Sequence, residues 1–234
     1  MLQSALLSVA LDAYVPPLAP LVAMAFLGTG LLLACLVVGA GVALAGRRRR
    51  IAATLALAAV GVAALYAAAL AGGAIVSRER TLTAGERKYF CEIDCHIAYE
   101  VVGAAAAGAG KRAVTVRTWF DPSTIAPFRG DAPLSPGPRS VFLVDESGRR
   151  YLPSPEATGA WQAAHPDSTP FGRELRPGES YRTTFVFDVP ADARSPRLFV
   201  GDPTAGLDAL VIGHENGLFH ARTYFALPAA AVSP

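Results

Sequence analysis

Hydrophobic and polar positions follow two different rhythms along this chain. From Ala13 to Gly46 no residue carries a charge, and the same holds from Ile51 to Val76. Between the two runs stand four consecutive arginines, Arg47, Arg48, Arg49 and Arg50. A helix needs about 20 apolar residues to cross a bilayer core, and each run is long enough. Arginines do not sit cheaply in hydrocarbon, and positive residues favour the cytoplasmic face. The pattern therefore predicts a transmembrane helical hairpin over residues 1–77, with spans at about 18–46 and 51–76 and the arginine turn inside. The N-terminus and everything after Ser77 then lie outside the cytoplasm. Met1 to Val15 has no Lys or Arg, which is not how a cleaved secretory signal begins. Small residues at Gly28-Thr29-Gly30, Gly39-Ala40-Gly41 and Gly72-Gly73 suit close helix packing.

After a polar linker at 78–86, the period changes to two. Cys91, Ile93, Cys95, Ile97, Tyr99 and Val101 share one parity, with Glu92, Asp94, His96 and Glu100 on the other, as in a half-buried strand. The Ala/Gly run from Gly103 to Gly110 reads as a turn, and Val114, Val116 and Phe120 then face one way on the next strand. Prolines between Asp121 and Arg139 mark a loop, since they remove donors and fix dihedrals. Val141–Asp145 and Arg150–Leu152 form a strand and its return. Pro155–Ala164 reads as one short helix, capped by Ser154 with Pro155 at its first position. Arg176-Pro-Gly-Glu179 has the Pro then Gly of a type II turn. Phe185, Phe187 and Val189 share a face of the strand that follows, and further strands are expected at Arg197–Val200, Ala209–His214 and Leu218–Leu227. Many short strands and one helix predict an all-β, immunoglobulin-like sandwich over 87–228, with a short tail at 229–234.

The run Leu175 to Pro190, with Leu198-Phe-Val200 after it and the turn Val144-Asp-Glu-Ser-Gly-Arg-Arg-Tyr151 before it, resembles a family of exported or membrane-anchored bacterial immunoglobulin-like domains of unknown function. The resemblance covers roughly residues 86–227. It implies a fold and a location, and no catalytic residues. The helical hairpin, the Cys91/Cys95/His96 cluster and the long proline loop depart from that family's pattern.

That cluster is the sharpest chemistry in the chain. Cys91-x3-Cys95 with an intervening Glu is similar to the dinuclear copper loop of cytochrome oxidase subunit two, although His96 follows the second cysteine at once. Soft thiolates suit Cu(I). In a regular strand residues four apart lie about 13 Å apart, whereas a disulfide needs Cα atoms within about 7 Å. A bridge or a shared metal therefore requires the segment to turn before Cys95. A disulfide brings only two side chains together in an oxidising compartment, and is preferred to a metal held by Cys91, Cys95 and His96.

The remaining histidines offer less. Asn216-Gly217 is a strong hairpin signal, and a two-residue loop there puts His214 inward with Leu210, Ile212, Phe219 and Phe225, and His220 outward. Opposite faces cannot share a metal ion, whereas a three-residue loop would put both histidines on one face. No Gly-x-Ser-x-Gly elbow or phosphate-cradling Gly loop occurs, and Arg129-Gly-Asp131 is taken as a chance match to adhesion ligands. The net charge of +2 is accounted for by the arginine cluster and points away from nucleic acid. Cys35 lies within the first span. The expectation is a non-enzymatic interaction or assembly module at the outer membrane face, with a protein partner, no cofactor and no small-molecule substrate. The alternative is a copper-handling protein beside a respiratory complex.

Overall fold

The computed structural model describes residues 13–14, 19–90, 96–125, 128–203 and 206–228. Two long apolar helices come first, α1 (Ala19–Ala45) and α2 (Arg49–Val76). Both are long and apolar enough to cross a membrane. They pack on each other, with Leu55 of α2 lying 3.3 Å from where a Cβ on Gly39 of α1 would stand. The connecting turn closes with Arg48 N–H donating to Ala43 O at 2.8 Å and Arg47 N–H to Leu44 O at 2.9 Å. These are the paired bonds of a Schellman cap, and Arg47 takes the left-handed position (φ 59°) usually given to Gly.

The strands form a sandwich of two five-stranded sheets. They are β1 (Ala13–Tyr14), β2 (Arg80–Leu82), β3 (Arg87–Phe90), β4 (Ile97–Ala106), β5 (Lys111–Phe120), β6 (Ser140–Val144), β7 (Arg150–Tyr151), β8 (Ser180–Asp188), β9 (Arg197–Gly201) and β10 (Thr223–Ala226). One sheet has the order β1-β3-β4-β5-β8 and the other β2-β10-β9-β6-β7. Alternation fixes the inward faces: Tyr99 and Val101 on β4, Val114, Val116 and Phe120 on β5, Phe187 on β8, Leu198 and Val200 on β9 and Phe225 on β10 form the core. The expected parities of β4, β5 and β8 are the observed ones.

The chain divides into two compact units. One holds 1–17, 80–204 and 223–234; the other holds 18–79 with 205–222. These differ from a split into contiguous stretches, because β1 precedes the helices yet pairs with β3 (Ala13↔Arg87). Part of the expected linker is also a strand, since β2 lies parallel to β10.

Helix α3 (Pro155–Ala164) is the helix read from the sequence, with Ser154 Oγ accepting from Ala157 N–H at 3.3 Å. It covers the free edge of β8. Ser154 N–H donates to Val186 O at 2.8 Å and Thr169 N–H to Arg182 O at 2.7 Å, so this edge does not present a bare row of backbone groups.

Three expectations need correction. The long strand around Cys91 is instead the pair β3 and β4, with Phe90 opposite Ile97, so the chain reverses direction between them. Gly103–Ala106 is not a turn; β4 continues through it past a bulge after Val101, and the reversal follows at 107–110. Small side chains weaken a strand, but β5 offers Val114 and Thr115 as partners and the ladder persists. Lastly, the Asn216-Gly217 hairpin does not form. Leu207–Leu210 is a 3-10 turn, further turns follow, and only Thr223–Ala226 is a strand. Both edges of β10 are already taken by β2 and β9, so the sheet has no place for another hairpin there.

Candidate functional site

Of the predicted cluster, Cys91 and Cys95 lie outside the described residues. His96 is described, and it corrects its expected exposure: it is 1% accessible, although its parity had placed it outward. The β5 end and the 3-10 turn Pro122–Thr124 enclose it. Its carbonyl accepts from Asp121 N–H at 2.8 Å, and its ring stacks on Phe120 with centroids 5.8 Å apart. Nδ1 lies 2.7 Å from Thr124 Oγ1, and that hydroxyl donates to Asp121 O at 3.0 Å. A hydroxyl has one proton, and a carbonyl can only accept it, so Thr124 Oγ1 receives the Nδ1–H of His96. Any metal at this histidine would have to bind through Nε2.

Asp121 ties the same corner together. Its Oδ1 accepts from Ser123 N–H at 2.8 Å and Ser123 Oγ at 2.6 Å, and its Oδ2 accepts from Tyr89 OH at 2.5 Å. Burial, reinforced by the Asp121 carboxylate, pushes the Tyr89 phenol well above its usual range, so it stays a donor. Arg129, from the Arg-Gly-Asp stretch, lays its guanidinium 4.8 Å from the Phe120 ring centroid. Around this corner a histidine, a carboxylate and a phenol are held with little freedom.

Two features carried no sequence signal. Lys88, on β3, is 2% exposed, and its ammonium donates to Val200 O at 2.7 Å and Thr223 O at 3.3 Å on the opposite sheet. The same ammonium lies 4.8 Å from the Phe199 ring centroid. Strand alternation alone gave no reason to bury a lysine. An open groove of about 470 Å³ runs beside α3, lined by Trp161, His165, Glu156, Lys111, Ala157 and Val186 among others. Trp161 and His165 stack with centroids 4.1 Å apart and planes 8° from parallel. The lining sets this aromatic pair beside Glu156 and Lys111, the latter paired with Asp188.

The other histidines are not brought together as a site. His214 Nδ1 accepts from Asn216 N–H at 3.1 Å, and His220 Nδ1 lies 2.8 Å from Ala221 O. The inward set expected with His214 is broken up: Phe225 is fully buried in the sandwich core, whereas Leu210 and Phe219 are exposed. Among the described residues no group of three or more His, Cys, Asp or Glu is placed to hold a metal ion. Arg47, Arg48, Arg49 and Arg50 sit exposed at the α1–α2 turn.

No family model and no curated protein matches the chain. Among solved structures it is similar to the yjhA protein from Bacillus subtilis at 14% identity and a TM-score of 0.36, over 62% of this chain and 98% of that one. It is similar to MPT63, a secreted protein from Mycobacterium tuberculosis, at 15% identity and 0.35, over 53% and 98%. A conserved hypothetical protein from Bacillus anthracis matches at 17% identity and 0.32, over 48% and 87%. Scores of this size carry neither fold nor function from those proteins to this one.

Proposed function

We propose that this chain is a cytoplasmic-membrane protein whose helical hairpin anchors an immunoglobulin-like sandwich outside the cytoplasm, where the sandwich serves as a non-enzymatic interaction module. Connectivity supports the anchor. The chain enters α1 a few residues after β1 and leaves α2 a few residues before β2, and both strands belong to the sandwich. Two crossings return the chain to the side it left, and the arginines occupy the other end. A reporter fused after Pro234 is active outside the cytoplasm and one inserted at Arg48 inside; the reverse pattern overturns the topology.

For the interaction itself, the α3 groove carries the argument. Trp is among the residue types enriched where a few side chains dominate binding, and Trp161 lines an open groove together with Glu156 and Lys111. A photo-crosslinking residue at Ala160 gives a discrete adduct with a second protein in native membranes, and Trp161→Ala abolishes it. No adduct, or one unaffected by Trp161→Ala, removes this surface from the proposal.

One observation favours the copper-handling alternative: Thr124 fixes the His96 ring through Nδ1, the way outer-shell groups orient metal-binding histidines. Phe90 pairs antiparallel with Ile97, so no single strand runs from one to the other to stand against a Cys91–Cys95 contact. The disulfide remains the preferred state. Thiol labelling with and without reductant, beside elemental analysis, separates the two; stoichiometric copper lost in Cys91→Ser establishes the metal reading.

A further inference from the structure

The β9–β10 connection is much longer than the sheet requires. Leu198 and Phe225 are paired neighbours, so a tight turn would join their strands. Instead residues 206–222 leave the sandwich unit and belong with the helices. They run beside the C-terminal part of α2. Tyr66 OH donates to Leu210 O at 2.7 Å, Ile212 lies 3.3 Å from where a Gly73 Cβ would stand, and Ala221 N–H donates to Ser77 Oγ at 2.9 Å. From Tyr66 to Ser77 is about 16 Å of helix.

The segment carries eight apolar side chains beside the charged Asp208, Glu215 and Arg222, and not one of its residues is buried. Leu207, Leu210 and Leu218 are exposed, and Phe219 is 95% exposed. Phe219 also takes a left-handed backbone (φ 63°), rare for a bulky residue. Among the described residues nothing covers that ring. The neighbouring helix surface is of the same kind, with Leu65, Ile75 and Val76 exposed.

Part of its backbone, by contrast, is paired internally. Five carbonyls accept from the amide three residues on: Gly206 from Ala209, Asp208 from Val211, Val211 from His214, His214 from Gly217 and Gly217 from His220. Asn216 Nδ2 donates to Asp208 Oδ2 at 3.2 Å. Gly217 is needed, because a Cβ there would stand 2.8 Å from His214 O. A chain of turns that pairs part of its backbone internally while displaying apolar side chains suits the edge of a bilayer.

Depth agrees. Tyr66 lies about 25 Å along α2 from Arg49, and a hydrocarbon core of about 30 Å beginning past the arginines ends near Leu70. The Tyr66–Leu210 contact then falls about one helical turn inside the outer edge, and Ser77–Ala221 among the headgroups. Tyrosine favours that level.

We propose that residues 206–222 form an interfacial membrane segment, seated in the outer lipid boundary against α2, with Leu207, Leu210, Leu218 and Phe219 among the headgroups and upper acyl chains. This rests on α1 and α2 spanning the membrane. The test uses the full chain in phosphatidylcholine vesicles, with Trp119→Phe and Trp161→Phe and single tryptophans introduced as Phe219→Trp, Leu218→Trp, Val60→Trp or Leu152→Trp. Val60 is exposed on α2 and Leu152 on the sandwich. Lipids brominated near the glycerol are expected to quench the residue-218 and residue-219 reporters more than lipids brominated near the chain ends. The Val60 reporter shows the opposite order, and the Leu152 reporter is unquenched. If the Val60 reporter is quenched and the residue-218 and residue-219 reporters are not, the interfacial segment is overturned while the hairpin stands. A blue shift at 219 without quenching assigns the face to a second copy or another protein, and also overturns it. An unquenched Val60 reporter overturns the hairpin, and the segment with it.

Discussion

Lys88 replaces a hydrated ammonium with a set of fixed partners, two of them carbonyls of the opposite sheet. Its bonds to Val200 O and Thr223 O tie β3 to β9 and β10 across the sandwich. Lys88→Met keeps the length of the side chain and removes the charge. The expected loss is about 1.5–3 kcal/mol, the range for hydrogen bonds made by a charged group, read as a lower urea midpoint of the full chain in detergent. Asp145 plays a comparable part inside a turn. It accepts from Ser147 N–H and Oγ, Arg149 N–H and Nε, and Tyr151 OH. These bonds, those from Ser147 first, hold its carboxyl well below the usual range. A depressed folded-state pKa contributes stability that is complete above the unfolded value of about 3.9 and is lost as pH falls further. Asp145→Asn should therefore lower the thermal midpoint at neutral pH and flatten its decline between about pH 4 and pH 2. The turn was legible in Asp-Glu-Ser-Gly-Arg; the burial of Lys88 was not, because β3 shows a burial run of three rather than an alternation.

Elements whose signals are local were read correctly. Ser154 and Pro155 start α3, and neither needs a distant partner to do so. Ser154→Ala should cost about 1 kcal/mol and loosen the helix that covers β8, measurable as faster amide exchange at Val186. Where two outcomes share a local signal, the remote partner decided. Gly103–Ala106 has the composition of a turn, yet β5 keeps it in the ladder. Asn216-Gly217 has the composition of a hairpin, yet among the described residues 211–215 and 218–222, on either side of it, none lies in a strand. Alternating Leu210 and Ile212 suit a sheet or a helix surface equally, and the contacts from Tyr66 and Gly73 show which was taken.

At the scale of the whole molecule, the β9–β10 ladder does not depend on the excursion between its strands. A short turn replacing residues 203–221 should leave the sandwich folded. Its unfolding free energy should change by only about 1 kcal/mol, since loop length enters closure entropy only logarithmically. Loss of the sandwich would mean that the two units depend on each other for folding. By itself the sequence determined the two apolar helices, the arginine turn, the inward faces of β4, β5 and β8, and the capped helix α3. Those rest on run length, period and caps, which are properties of neighbouring residues. Only the tertiary structure decided that β1 joins the sandwich, that the chain reverses before His96 and buries it, that Lys88 turns inward, and that residues 206–222 lie along α2. Each of these depends on a hydrogen-bond edge or an apolar surface supplied by residues far away in the chain, and a local pattern carries no record of which distant partner will be available.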